Sequence, residues 1–139
     1  MRVGDTLTAS QILEKVNQSE FKSAEITTLT AETFVANKQY DKAISLLFAE
    51  TSENPKLENC LVLAEAFEKT FVPNNAIRFL KMADELSPNN PRILLKIGEI
   101  YLLTDKAQAL LFLNKAIELD KNGAYINLTE AQKLVKRAK

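Results

Sequence analysis

Residues 74–90, NNAIRFLKMADELSPNN, hold the pattern that decides the fold. Ala76, Leu80 and Ala83 stand three or four positions apart, which places them on one side of an α-helix. Pro88 follows, and proline ends a helix because it lacks a backbone N–H and clashes with the preceding turn. The stretch therefore predicts an amphipathic helix that stops before a proline.

The same helix is repeated along the chain. Alanines recur every 33 residues, each followed four positions later by a leucine: Ala43 and Leu47, Ala76 and Leu80, Ala109 and Leu113. Upstream of each pair lies a small residue with an aromatic residue three positions after it: Ala31 and Phe34, Ala64 and Phe67, Gly98 and Tyr101. Small residues let two helix backbones approach closely, and the aromatic residues fill the space beside them. Each unit is therefore predicted to be helix, turn, helix, and a repeat of this length is typical of stacked hairpins.

Three segments carry a resemblance to the tetratricopeptide repeat family. They are QYDKAISLL at 39–47 followed by Pro55, the opening stretch at 74–90, and GEIYLLTDKAQALLFLNKAIELDKN at 98–122. The resemblance runs from Ala24 to about Gly123. It implies an all-α, right-handed superhelical solenoid of antiparallel helix hairpins, with repeats at 24–56, 57–90 and 91–123.

Two flanking segments are predicted to be helices as well. Residues 8–18 have apolar residues on one helix face, and Thr8 with Gln11 has the spacing of a capping box. Residues 124–139 place apolar side chains opposite a basic face made by Lys133, Lys136, Arg137 and Lys139. We expect this last helix to cap the open end of the third hairpin.

Composition excludes several classes of protein. The 139 residues are 46% hydrophobic, which suits one domain with a continuous core. With 18 basic and 18 acidic residues the net charge is zero, so no global field would attract nucleic acid. No apolar run is long enough for membrane insertion, and the N-terminus lacks the apolar stretch of a signal peptide. A cytoplasmic location is therefore expected, although a start inside a longer protein would leave any targeting segment out of view.

The residues needed for catalysis are scarce. Histidine, the commonest general base and metal ligand, is absent. Cys60 occupies an inward-facing helix position, where a structural thiol is the simpler interpretation than a nucleophile. The three glycines form no phosphate-binding arrangement. We predict a non-enzyme without catalytic residues, metal or cofactor.

The resemblance implies that the first helix of each hairpin lines a concave groove for a peptide or a partner helix. The residues expected there are Glu32, Val35, Leu61, Glu65, Lys69, Arg92, Leu95, Lys96, Glu99 and Leu102. Glu32, Glu65 and Glu99 occupy equivalent places and would form an acidic row. Two interpretations compete: the glutamates are ordinary residues of a solvated face, with Glu65 paired to Lys69, or they select a partner that is basic and apolar by turns.

These observations predict a protein–protein interaction module or adaptor that binds a protein or peptide in its concave groove. The alternative is a structural assembly subunit that forms a homo-oligomer or docks through its ends or convex face. A monomer in solution would favour the first, because its groove would be open to a ligand.

Overall fold

The computed structural model describes residues 24–139, so the helix predicted at 8–18 lies outside the described part of the chain. All regular structure from residue 24 onward is helical. The helices are α1 (Ala24–Ala36), α2 (Tyr40–Glu53), α3 (Leu57–Lys69), α4 (Pro73–Leu86), α5 (Pro91–Tyr101), α6 (Lys106–Leu119) and α7 (Leu128–Ala138).

Successive helices pack into three hairpins, α1 with α2, α3 with α4, and α5 with α6. Each hairpin also contacts the next one, through α2 with α3 and α4 with α5, and α7 packs against α6. The first helices of the first two hairpins touch as well. The predicted all-α helical-repeat solenoid is confirmed. The division into units at 24–56, 57–90 and 91–123 stays a prediction.

Helix starts follow the local sequence. Pro73 and Pro91 begin α4 and α5, where proline costs nothing because the first helical N–H groups have no partner inside the helix. The side chains of Asn90, Asp105 and Asn127 accept hydrogen bonds from backbone N–H groups at the starts of α5, α6 and α7. These caps fix where the last three helices begin.

The core is continuous through the first two hairpins and includes residues of α5. Phe79 is fully buried and stacks on Phe67, with ring centroids 5.8 Å apart and planes within 3°. Phe48 contacts both rings edge to face, at 6.0 Å from Phe67 and 5.7 Å from Phe79. Three rings from α2, α3 and α4 therefore join the first hairpin to the second.

Gly98 lies at a close approach between the two helices of the third hairpin. A Cβ atom placed on this residue would lie 2.7 Å from Cγ of Leu113 and 3.1 Å from its backbone nitrogen. Leu113 is fully buried in α6. The prediction that a small residue here permits close packing is confirmed.

Two hairpin turns pass through the left-handed backbone region. Lys38 has φ 61° and Phe71 has φ 63°, at equivalent positions in the first and second hairpins. Glycine or asparagine usually occupies such positions, and a bulky residue there is a conformational outlier. The Phe71 side chain is also 88% exposed. The second hairpin thus holds a strained aromatic residue in solvent at the tip of its turn.

A buried carboxylate organises the turn between α6 and α7. Asp120 Oδ1 accepts a hydrogen bond from the backbone N–H of Ala124 at 3.0 Å, and Oδ2 accepts from Tyr125 at 2.9 Å and Ile126 at 2.8 Å. These bonds hold residues 124–126 in the turn, so α7 begins at Leu128 and not at the predicted residue 124. Tyr125 would lie on the apolar face of a helix that began at residue 124, but in the structure it precedes α7 and its side chain is 64% exposed.

The same carboxylate predicts acid sensitivity. Burial alone would raise the pKa of Asp120, but the three backbone hydrogen bonds and the nearby charge of Arg92 outweigh it and lower the pKa. A lowered folded-state pKa stabilises the fold above the ordinary aspartate range near 4, and that stability is lost as pH falls through the folded-state value. We expect the thermal midpoint of the parent protein to decrease as the pH drops below about 4. Asp120→Asn should be less stable than the parent at neutral pH, and its midpoint should depend less on acid. Thermal scans from pH 2 to 7 test this; parallel curves for the two proteins would contradict it.

Candidate interaction cleft

A candidate site lies between the first helices of the second and third hairpins. This α3–α5 cleft has a volume of about 440 Å³. Buried apolar residues from three helices line it: Ala64, Leu80 and Ile93. Leu61 lines it too and is 39% exposed. The cleft therefore offers apolar surface that a partner side chain could cover.

Helix periodicity places the cleft residues of α3 on one face. Leu61, Glu65 and Lys69 are four residues apart, so their side chains follow one another along the helix axis. Across the cleft, α5 supplies Arg92 and Lys96, also four residues apart. Charged side chains of both signs thus surround the apolar surface.

An ion pair bridges the two sides of the cleft. Lys96 Nζ lies 2.9 Å from Glu68 Oε1 and 3.8 Å from Glu99 Oε2. Burial alone would lower the pKa of Lys96, but its hydrogen bond to Glu68 and the charges of Glu99, Glu68 and Glu65 raise it. Lys96 therefore stays protonated and holds the two carboxylates it contacts.

One of the two interpretations of the sequence paired Glu65 with Lys69. Neither residue takes part in an ion pair among residues 24–139. Both are exposed and line the α3–α5 cleft. Coulomb attraction draws Lys96 toward three carboxylates instead, and it reaches only two of them. Glu65 and Lys69 keep their charges available to a partner.

A second hollow lies at the N-terminal end of the same face. This N-terminal hollow, about 450 Å³, is lined by Glu25, Thr28, Leu29, Glu32, Lys56 and Glu58. The Thr28 hydroxyl donates to Asn59 Oδ1 at 2.6 Å and links α1 to α3 beside it. Leu29 is half exposed. Three carboxylates face one lysine here, so the hollow is acidic.

The three glutamates of the predicted acidic row have different surroundings, and the row itself stays a prediction. Glu32 lines the N-terminal hollow, Glu65 lines the α3–α5 cleft, and Glu99 faces Lys96. The α3–α5 cleft also differs in charge from the N-terminal hollow, because Lys69, Arg92 and Lys96 line the cleft.

Four other predicted groove residues have contacts within the protein. Val35 packs against the main core, and Leu95 and Leu102 pack against a cluster that includes Leu134 and Ala138 of the capping helix. Arg92 Nε donates to the backbone carbonyl of Tyr125 at 3.0 Å, and its guanidinium lies 5.8 Å from that ring. Part of the predicted groove surface of the third hairpin is therefore covered within the protein, by α7 and by the turn before it.

The sequence did not single out Leu80, Asn90 or Ile93 as cleft residues. Leu80 belongs to the repeated core pattern, and it reaches the cleft because α4 packs against both α3 and α5. Ile93 directly follows Arg92, so a wider helix face would have included it.

The described residues offer no site for catalysis by a metal. From residue 24 to 139 there is no group of three potential metal-ligating side chains. Cys60 is buried, and burial raises the pKa of its thiol, which makes it a poor nucleophile. In the same stretch, no helix has the length and apolar character needed to cross a bilayer.

Comparison with known proteins gives structural relatives only. No protein-family model and no curated protein matches the chain. The solved structure of MamA MSR-1 C2 is 26% identical, with a TM-score of 0.75 over 87% of this chain and 71% of the other. That of MamA RS-1 ArsTM double mutant is 19% identical, with a TM-score of 0.76 over 88% of this chain and 70% of the other. MamA has a tetratricopeptide-like fold, and this chain therefore has a tetratricopeptide-type fold.

Proposed function

We propose that the protein is a non-enzymatic interaction module that binds a segment of a partner protein in the α3–α5 cleft. The observation that carries the proposal is the combination of buried apolar lining with unpaired charged side chains at one opening. Likeness to MamA structures supports a role in protein interaction or assembly.

The partner segment should carry an apolar residue next to a basic one. The apolar residue would cover Leu61 and the buried side chains beneath it. The basic residue would meet Glu65, whose charge no lysine or arginine of the described chain neutralises by direct contact. Further basic residues would reach Glu32 and Glu58 in the N-terminal hollow.

Designed peptides test the charge preference. Two labelled nine-residue peptides, one alternating lysine with leucine and one alternating glutamate with leucine, are compared by fluorescence anisotropy. The lysine peptide should bind more tightly, and its affinity should fall as salt rises from 0.05 to 0.5 M because salt screens exposed charges. Equal affinity for both peptides would contradict the proposed selectivity.

Matched variants then place the site on the protein. Glu65→Lys and Leu61→Ser should each weaken the lysine peptide by about tenfold, corresponding to about 1.4 kcal/mol. Glu50→Lys and Leu86→Ser remove similar exposed residues elsewhere and should leave binding unchanged. Glu99 is kept, because its replacement by lysine would also disturb Lys96.

The alternative is an assembly subunit that works through its ends or convex face. Light scattering over a range of protein concentrations distinguishes it from the cleft module. A constant monomer mass supports the module. A mass that rises with concentration in both the parent and Glu65→Lys would favour assembly.

A further inference from the structure

Phe71 is the most anomalous residue of the described chain. Its backbone is in the left-handed region, with φ 63°, and its side chain is 88% exposed. Glycine would relieve the backbone strain and remove the exposed ring together. Strained and exposed positions of this kind often have a function outside the folding of the domain.

A second apolar side chain occupies the same edge of the solenoid. Leu103, 71% exposed, lies in the turn between α5 and α6, as Phe71 lies in the turn between α3 and α4. Stacked hairpins bring successive turns to one edge. The C-terminal end of α7 reaches this edge too, because Leu134 and Ala138 share a cluster with Leu102.

Exposed basic side chains lie in the hairpin turns and at the C-terminal end of α7. We define the turn edge as the two tips with the exposed basic residues of the hairpin turns and of the end of α7: Phe71, Leu103, Lys38, Lys106, Lys136, Arg137 and Lys139. The carboxylates nearest the turns in sequence are Asp41, Glu68, Glu99 and Asp105. Glu68 and Glu99 contact Lys96, and Asp105 accepts hydrogen bonds from Ala107 and Gln108.

Acidic residues concentrate at the opposite edge, where the hairpins connect to one another. They are Glu50, Glu53, Glu58, Asp84, Glu85 and Glu118, and they outnumber the basic residues of the same connections, Lys56, Arg92 and Lys121. The molecule has no net charge, but its two edges differ in sign. The turn edge is therefore complementary to an anionic surface.

We propose that the turn edge binds the surface of an anionic phospholipid bilayer. Exposed apolar tips enter the boundary between headgroups and acyl chains, while lysine and arginine side chains meet the lipid charges. A bilayer suits tips spread over successive turns, because it needs no preformed pocket for each one. This contact involves no spanning helix and leaves the α3–α5 cleft to its own ligand.

Vesicle sedimentation tests the proposal. The protein is mixed at low salt with vesicles of phosphatidylglycerol and phosphatidylcholine in equal parts, or of phosphatidylcholine alone. We expect binding to the anionic vesicles at least about tenfold stronger than to the neutral ones, declining as salt rises.

Variants separate the contributions of the apolar tips and the charges. Phe71→Gly suits the left-handed backbone and should fold at least as stably as the parent, yet bind anionic vesicles about tenfold more weakly. Neutralising Lys136, Arg137 and Lys139 with glutamine should weaken binding and its salt dependence together. Leu111→Ser removes a 60% exposed leucine within α6, away from the turns, and should bind like the parent.

Three results would overturn the proposal: no sedimentation with anionic vesicles, equal binding to both vesicle types, or undiminished binding by Phe71→Gly. If anionic vesicles fail and light scattering shows an association that Phe71→Gly abolishes, the edge binds a second copy of the chain. Peptide binding in the cleft is measured separately on Phe71→Gly, so either proposal can fail without the other.

Discussion

Replacing Phe79 with alanine should lower the free energy of unfolding by about 3–5 kcal/mol. The ring is fully buried, stacks on Phe67 and meets the edge of Phe48. Its removal would leave a cavity between the first and second hairpins, and the stacked helices have little room to collapse into it. Because domains of this size are stable by about 5–15 kcal/mol, much of the total would be lost.

Chemical denaturation measures this effect, and the chain supplies its own control. Phe71→Ala makes the same chemical change at a ring that is 88% exposed, so it should change stability by no more than about 0.5 kcal/mol. Similar losses for the two variants would mean that the three-ring cluster does not join the hairpins.

Gly98→Leu should destabilise the third hairpin by about 1–3 kcal/mol. Even the Cβ atom of the new side chain would lie 2.7 Å from Leu113 Cγ. It would also lie 3.1 Å from the backbone nitrogen of Leu113, so a change in the Leu113 side chain alone would not remove the crowding. Either α5 and α6 must separate or Leu113 must leave its position. Thermal unfolding measures the loss, and Ala107→Leu, which also introduces a leucine but at an exposed site of α6, should show little change.

A double-mutant cycle shows whether the clash is the cause. Gly98→Ala should cost less in a Leu113→Ala background than in the parent, since the shorter side chain makes room for the new Cβ. Additive effects of the two substitutions would place the loss elsewhere, for example in α5 itself.

The sequence predicted the hairpins well because their spacing depends on repeated side-chain volumes. Ala64 and Gly98 are small at equivalent helix crossings, and Ala43, Ala76 and Ala109 are all fully buried. Such positions recur at a fixed spacing because the two helices of every hairpin pack against each other in the same way. Periodicity therefore identifies the core without knowledge of tertiary contacts.

The candidate site was less predictable because it depends on contacts that do not repeat. Arg92 and Leu95 occupy groove positions in the repeat, but Arg92 donates a hydrogen bond to Tyr125 in the turn before α7, and Leu95 packs against a cluster that includes residues of α7. Lys96 could pair with several carboxylates within reach, and only the structure shows which it contacts. Equivalent positions of different repeats therefore differ where the neighbouring element differs and where a long charged side chain has several possible partners.

The attachment of α7 has a consequence for how such a protein can change length. The residues that contact α7 and the turn before it all lie between positions 91 and 123. They run from Arg92 and Leu94 to Ala116 and Asp120. A duplication of residues 91–123 would therefore copy all of these contacts, and α7 could pack on the added hairpin as it packs on the present one. The array could be lengthened in one genetic step without redesign of the contacts of α7, and with each added hairpin it would gain a further cleft.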